Sequence, residues 1–272
     1  MIEGLNIRCN VGPLEIVRTP HLELDYKRRA VLSRAVIQIP DPKGKARGAL
    51  EVGQRFIARF WYRGSGGFRH EWQGTIEAID QPGQNEENPD AITVRGVGLE
   101  KALATTMVTE SFYQETAQAV ARRLLASTGL ALGTVDIPGD MLPHQIFSRV
   151  SVARAIKQLE NTLARSFGHD FSRHAVWLGA SGLNWSPEDE PGPAYVIETA
   201  QNLIEHTPPT SPGEMGAVVS AVLPGLTDGR LVRIRDKRRG IVTLERAEGV
   251  KHLLQAASNK TTVLYGKKAG WG

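Results

Sequence analysis

The sequence predicts an α+β fold that is mainly β: a small antiparallel barrel or sandwich, then a helical and hairpin insert, then a second, smaller β unit. Three observations predict it. Residues 5–97 alternate apolar and polar in short runs divided by turn formers. Residues 111–179 change to helical spacing, with glycine stops. After Pro208-Pro209-Thr210-Ser211-Pro212-Gly213 the alternation returns. Three prolines in six residues resist both helix and sheet, so this stretch reads as a linker. Domain boundaries are expected at 1–107, 108–212 and 213–272.

The first segment yields its strands one by one. Leu22, Leu24 and Tyr26 alternate with charged residues, the pattern of a half-buried strand. Ala35, Ile37 and Ile39 repeat it, and Pro40-Asp41-Pro42-Lys43-Gly44 breaks the run. Gln54 to Tyr62 reads QRFIARFWY. Phe56, Ala58, Phe60 and Tyr62 fall on one face, Ile57 and Trp61 on the other. A strand apolar on both faces belongs deep in a barrel or at a subunit contact. A glycine turn at 63–67, a return strand at 69–79, a polar loop at 81–90 and a last strand at 92–96 complete the set.

The insert holds two expected helices. Ser111 to Gly129 places Tyr113, Ala117, Val120 and Leu124 on one face, with Ser111 and Gln114 as a capping box and Gly129 as the stop. Val152, Ile156, Leu159, Leu163 and Phe167 form the apolar face of the second helix, capped by Ser151 and stopped by Gly168. The following HDFSRHAVWLG, with Phe171, Val176 and Leu178 around a polar turn, predicts a short hairpin. Gly182 to Gly192 reads as a polar connector and Tyr195 to Ile204 as a strand or mixed segment. Strands are then expected at 217–222, 231–234, 241–244, 250–254 and 261–265, before a frayed tail at 267–272.

Composition excludes several functions. No window of eighteen uncharged apolar residues exists, so no membrane-spanning helix is expected. MIEGLNIRCNVG has no basic region followed by an apolar run, so no secretory leader is expected. Cys9 is the only cysteine, which rules out an internal disulfide or a cysteine zinc site and suits a reducing cytoplasm. The net charge of +4 is small, but 230–251 carries eight Lys/Arg against three Asp/Glu. Arg233, Arg235, Lys237, Arg238 and Arg239 form a basic strip able to meet phosphate or an acidic protein. No aromatic platform accompanies it, so any nucleic-acid contact would be to the backbone and salt-sensitive.

Catalytic patterns are weak. Gly64-Ser65-Gly66 and Gly179-Ala180-Ser181-Gly182 lack the strand-to-helix setting of a nucleophile. Gly96-Val97-Gly98 lacks the third glycine of a dinucleotide loop. His169, Asp170 and His174 straddle a helix stop and would splay. Glu188-Asp189-Glu190 lies in a proline loop, where adjacent carboxylates are solvated and do not divide acid and base roles. No enzyme activity, cofactor or metal is expected.

The order of the pieces resembles the central hub proteins of contractile phage tails, the baseplate hub, tail protein D or late control protein family. WQGTIEAI (72–79) resembles the family's G-x-I-x-x-I strand, and ITVRGVGLEKAL (92–103) its strand followed by an R-G segment. SFYQETAQAVARRLLASTGL (111–130) and SVARAIKQLENTLARSFGHDFSRHAVWLG (151–179) resemble its two helices, the second followed by a hairpin. VVSAVLPGLTDGRLVRI (218–234) resembles the start of its second barrel. The resemblance implies two small antiparallel β-barrels around the insert. It implies a homotrimer whose six barrels ring the tail channel, joining tail tube to spike, in the virion baseplate after assembly in the bacterial cytoplasm. Its implied partners are therefore copies of itself, tail spike and tube proteins, and DNA passing non-specifically through the channel, with no membrane. Phe56, Ile57, Phe60 and Trp61 then become candidate subunit-interface residues, and the basic strip a candidate channel lining. Two other readings stay open: a tail-associated cell-wall hydrolase and a nucleic-acid-binding module.

Overall fold

The structure is a computed structural model and describes residues 4–19, 21–28, 32–64, 70–80, 90–179, 182–187, 194–211, 213–255 and 258–266. Most described residues lie in strands, and most strand pairs are antiparallel. The chain divides into two compact units. The first takes the described residues of Met1–Gly98 and Glu190–Gly270; the second takes those of Leu99–Asp189.

The first unit opens with β1 (Leu5–Val11), β2 (Leu14–Ile16), β3 (His21–Lys27), β4 (Arg34–Pro40), a one-turn helix α1 (Lys45–Ala49), β5 (Arg55–Tyr62), β6 (His70–Asp80) and β7 (Ala91–Gly98). The alternation expected for β3 and β4 is present: Leu22, Leu24, Ala35, Ile37 and Ile39 are buried and their neighbours are not. The same unit closes with β13 (Tyr195–Glu198), β14 (Leu203–Thr207), β15 (Met215–Ala221), β16 (Leu231–Asp236), β17 (Ile241–Gln255) and β18 (Asn259–Gly266). One sheet path joins both groups, in the order β14-β15-β18-β17-β3-β4-β7-β6-β5-β1-β2. The join is β17 against β3, antiparallel, with His252 opposite Leu24 and Val250 opposite Tyr26. A single core follows from that join. Phe56, Phe60 and Trp72 from the first group share it with Ile197, Val232, Ile234, Val250 and Val263 from the last.

Residues 208–211 and 213, read above as part of a linker, connect β14 to β15, which pair directly. The expected strands at 241–244 and 250–254 are one strand, β17, with a register shift between Ala247 and Gly249. The bulge lets one strand serve three neighbours: its first half pairs β16 and its second half pairs β3 and β18.

The second unit contains α2 (Lys101–Thr105), β8 (Met107–Thr116), α3 (Ala117–Ala126), β9 (Leu132–Val135), β10 (Met141–Ser151), α4 (Val152–Phe167), β11 (His174–Gly179) and β12 (Gly182–Pro187). α4 matches its sequence pattern. The Ser151 hydroxyl accepts from the Arg154 N–H, Gly168 ends the helix at φ 76°, and Val152, Ile156, Leu159 and Leu163 are buried. Phe167, at the end of that face, is partly exposed.

Two expectations need correction. The first helix starts at Ala117, not after Ser111. Residues 111–116 continue β8, which pairs β10, and Thr116, not Ser111, accepts from the Ala119 N–H as cap. The predicted hairpin is built from β11 and β12, so the Gly182 end of the supposed connector is a strand. Its partner on the other side is β9, in parallel. Phe171, expected on the first arm of that hairpin, precedes β11 and lies in no strand. The polar loop at 81–89, the serines Ser65 and Ser181, the acidic triplet 188–190 and the tail at 267–272 lie outside the described residues.

Candidate functional site

Four interface candidates sit on β5. Phe56 and Phe60 are 0 % exposed and belong to the unit's own core. Phe56 packs edge-on against Trp72 at 5.1 Å between centroids. Two glycines make that contact fit. A side chain at Gly74 would overlap the Val97 carbonyl and the Trp72 ring, and one at Gly96 would meet Phe56 and Trp72. Ile57 is buried on the opposite face of β5, and Trp61 is half-buried. The strand is apolar on both faces because it is interior, so Phe56 and Phe60 offer no surface to a neighbour.

The basic strip sits on one hairpin. β16 and β17 pair from Leu231 opposite Arg246 to Asp236 opposite Ile241, with Lys237 to Gly240 as the turn. β13 adds a parallel third strand. Val232 and Ile234 point into the core, so Arg233 and Arg235 face outward. Arg233 lies in one row with Val196 and Leu244, and Arg235 in the next with Glu198 and Val242. Val196, Val242 and Leu244 are exposed, Val242 by 74 %. The outer face therefore mixes aliphatic and cationic groups.

Three of the five cations are engaged. Lys237 Nζ is 2.7 Å from Glu198 Oε1, and Arg235 Nη1 is 3.3 Å from Glu198 Oε2. The Lys237 hydrogen bond first, then Arg235, outweighs burial and holds the Glu198 carboxyl below its ordinary range. Arg239 Nη1 donates to Asp236 Oδ2 at 3.1 Å. Arg233 and Arg238 have no acidic partner among the described residues. Of the positive strip read from sequence, these two remain fully available to a polyanion.

Sequence reasoning missed what anchors this hairpin. Asp236 is 0 % exposed and takes the Arg238 and Arg239 backbone N–H groups on Oδ1. His206 Nδ1 lies 2.8 Å from Asp236 Oδ2, and His206 Nε2 lies 2.7 Å from the Tyr265 hydroxyl. Burial pushes the Asp236 carboxyl up, but the His206 and Arg239 hydrogen bonds prevail and hold it at about 2. No sequence spacing links His206, Asp236 and Tyr265: the pairing of β14, β15 and β18 carries His206 and Tyr265, and Asp236 comes from the end of β16.

The second unit exposes a different apolar face. Tyr113 pairs with His144 and Ser111 with Ile146 across β8 and β10. Tyr113 is 70 % exposed, and Met107, Met141 and Ile146 are exposed as well. Phe112 and Phe147, on the reverse side, are buried. The helix misreading hid this face, since it assigned Tyr113 to a core.

The weak chemical patterns do not converge. His169 Nε2 is 2.6 Å from Asp140 Oδ2, Asp170 binds the Ser172 N–H and hydroxyl, and the His174 ring lies against Phe171. Among the described residues no group of three His, Cys, Asp or Glu side chains could hold a metal. Burial pushes the Cys9 thiol up to about 12, which removes it as a nucleophile. No helix among the described residues is long and apolar enough to cross a membrane.

No protein-family model and no curated protein sequence matches the chain. Solved structures do. A tail protein from Neisseria meningitidis MC58 has TM-score 0.67 at 13 % identity, covering 98 % of this chain and 98 % of that one. The prophage MuSo2 43 kDa tail protein from Shewanella oneidensis has TM-score 0.68 at 8 % identity, covering 97 % of each. The E. coli c3393 protein, described as a type VI secretion component structurally similar to the T4 bacteriophage tail proteins gp27 and gp5, has TM-score 0.66 at 10 % identity, covering 98 % of this chain and 77 % of that one. At such identities the shared property is the fold, and it extends over nearly the full chain.

Proposed function

We propose that this chain is a structural, non-catalytic component of a contractile phage or prophage tail. In the finer form of the reading it is the baseplate hub: a homotrimeric ring that joins the tail tube to the spike around the DNA channel. The described parts of 1–98 and 190–270 are the ring-forming β part of each subunit, and 99–189 is the inserted part. The observation that carries the reading is a fold shared over nearly the full chain with two tail proteins and a type VI component likened to gp27 and gp5. The exposed rows of Val196, Val242 and Leu244 supply apolar surface that a neighbouring copy or tail partner would cover. The basic hairpin, through Arg233 and Arg238, is the segment offered to passing DNA.

The test is the oligomeric state. Sedimentation at micromolar concentration should give three chains per particle, and negative-stain images should show a ring with a central hole. A monomer at that concentration, without spike or tube protein able to assemble it, removes the hub reading. A peptidoglycan zymogram should stay blank; clearing would favour the hydrolase instead.

A further inference from the structure

Between β15 and β16 the chain turns at Leu223-Pro224-Gly225-Leu226. The Leu226 N–H donates to the Leu223 carbonyl at 3.2 Å, and Gly225 has φ 86°. Proline second and a positive-φ glycine third make a type II turn. Four strands hold this turn by side chains. The Tyr62 hydroxyl on β5 donates to the Val222 carbonyl at 2.8 Å. The Gly225 N–H donates to His70 Nδ1 on β6 at 3.1 Å. His252 Nε2 on β17 donates to the Leu226 carbonyl at 2.8 Å. The Leu223 N–H donates to Thr261 Oγ1 on β18 at 3.0 Å.

These bonds fix the protonation of both imidazoles. His70 Nδ1 accepts from a backbone N–H, so its proton sits on Nε2, 2.7 Å from the Tyr26 hydroxyl of β3. His252 Nε2 faces a carbonyl and carries a proton, so Nδ1 accepts from the Thr261 hydroxyl at 2.9 Å. Both rings are neutral and fully bonded. They also touch: their centroids are 4.7 Å apart, and Phe60 of β5 stacks on His70 at 4.3 Å. The titratable groups against the pair are Tyr26 and each other. Among the described residues no carboxylate is bonded to either ring.

We propose that the Leu223–Leu226 turn is an acid-sensitive latch between the two β groups of the first unit, released when His70 and His252 take up protons. A proton on His70 Nδ1 turns the acceptor of the Gly225 N–H into a second donor. A proton on His252 Nδ1 does the same to the Thr261 hydroxyl. Two cations side by side in an apolar core, without a counter-ion, oppose each other. Burial holds His252 down at about 4, and burial, then His252, holds His70 well below its ordinary value. The closed turn is thus fully favoured above the ordinary imidazole value near 6.5 and lost as pH falls towards the folded values.

Amide hydrogen exchange on the full chain, corrected for intrinsic rates, tests the latch from pH 7.5 down to pH 5. Protection at Leu223 and Gly225 should fall about tenfold per pH unit for each proton taken up, while the α4 amides keep theirs. Flat protection at the turn, or loss in step with α4, overturns the proposal. The His70→Gln, His252→Gln double variant keeps donors and acceptors but cannot titrate; its turn should lose the pH dependence. Should that variant fail to fold, NMR titration of the wild-type imidazoles decides: either ring titrating at or above 6.5 overturns the latch, and both titrating below it supports it.

Discussion

At the scale of single residues, β5 separates what composition suggests from what packing decides. QRFIARFWY contains enough apolar surface for an interface, yet Phe56 and Phe60 are wholly interior. Truncating Phe56 removes a ring held between Trp72 and the glycine gap at Gly96. Phe56→Ala should therefore cost about 3–5 kcal/mol of folding stability, measured by urea unfolding. Tyr113→Ala, on the exposed face of β8, should stay within about 0.5 kcal/mol. If Phe56→Ala were as mild as Tyr113→Ala, Phe56 would not be a core residue. The glycines of TIEAI's strand and of VRGVG were readable as motif letters, but their reason was not. Only the pairing of β6 with β7 puts Gly74 and Gly96 around one indole. The buried histidines were invisible for the same reason. His70, His206 and His252 find their partners on strands and turns distant in the sequence: Tyr26 on β3, Asp236 at the end of β16 and the Leu226 carbonyl of a turn.

At the scale of elements, legibility followed how local the determinants are. α4 was readable because cap, apolar face and glycine stop all lie within one stretch. β8 was misread because Ser111 to Thr116 suits a helix start or a strand, and its pairing with β10 settles the matter. β12 looked like a connector because GLNWSPEDEPG is polar and contains proline, with Asn184 among its polar residues. That side chain accepts from the Thr134 N–H and donates to the Gly182 carbonyl, so a loop-forming residue works as a strand residue here. The β16–β17 hairpin was read correctly as basic, but the acids that neutralise it were not seen. Glu198 comes from β13, and Asp236 is sequestered with His206. This divides the strip into two groups with different expected behaviour. Arg233→Ala with Arg238→Ala should weaken duplex-DNA binding at low salt and flatten its log-log salt slope by about 2, with the thermal midpoint unchanged. Arg235→Ala with Lys237→Ala strips both cations from a buried carboxylate and should lower the midpoint. An unchanged salt slope in the first variant removes the basic strip from the channel.

At the scale of the whole molecule, the question is which pieces of chain carry their own core. Segments 1–107 and 213–272 read as two units because turn signals and alternation are local, whereas the β3–β17 pairing that joins them spans most of the sequence. Leu22, Leu24 and Tyr26 on β3 are buried in the same cluster as Val250 and Leu254 on β17. Removing the last segment would expose that cluster and leave β3 as an edge of apolar alternation, the kind of edge that associates non-specifically. The insert is different. Phe112, Val120, Leu124, Phe147, Leu159, Leu163 and Trp185 are buried, and all lie within residues 99–187. A polypeptide of 99–187 should therefore fold alone, with one cooperative urea transition and dispersed amide resonances. A polypeptide of 1–98 should show neither and should aggregate on concentration. Co-expression with 194–272 should rescue it, because β17 then returns to β3. Cooperative folding of 1–98 by itself would mean that the two β groups are independent barrels that merely touch. Failure of 99–187 would mean that its helices need the large sheet to hold their shape.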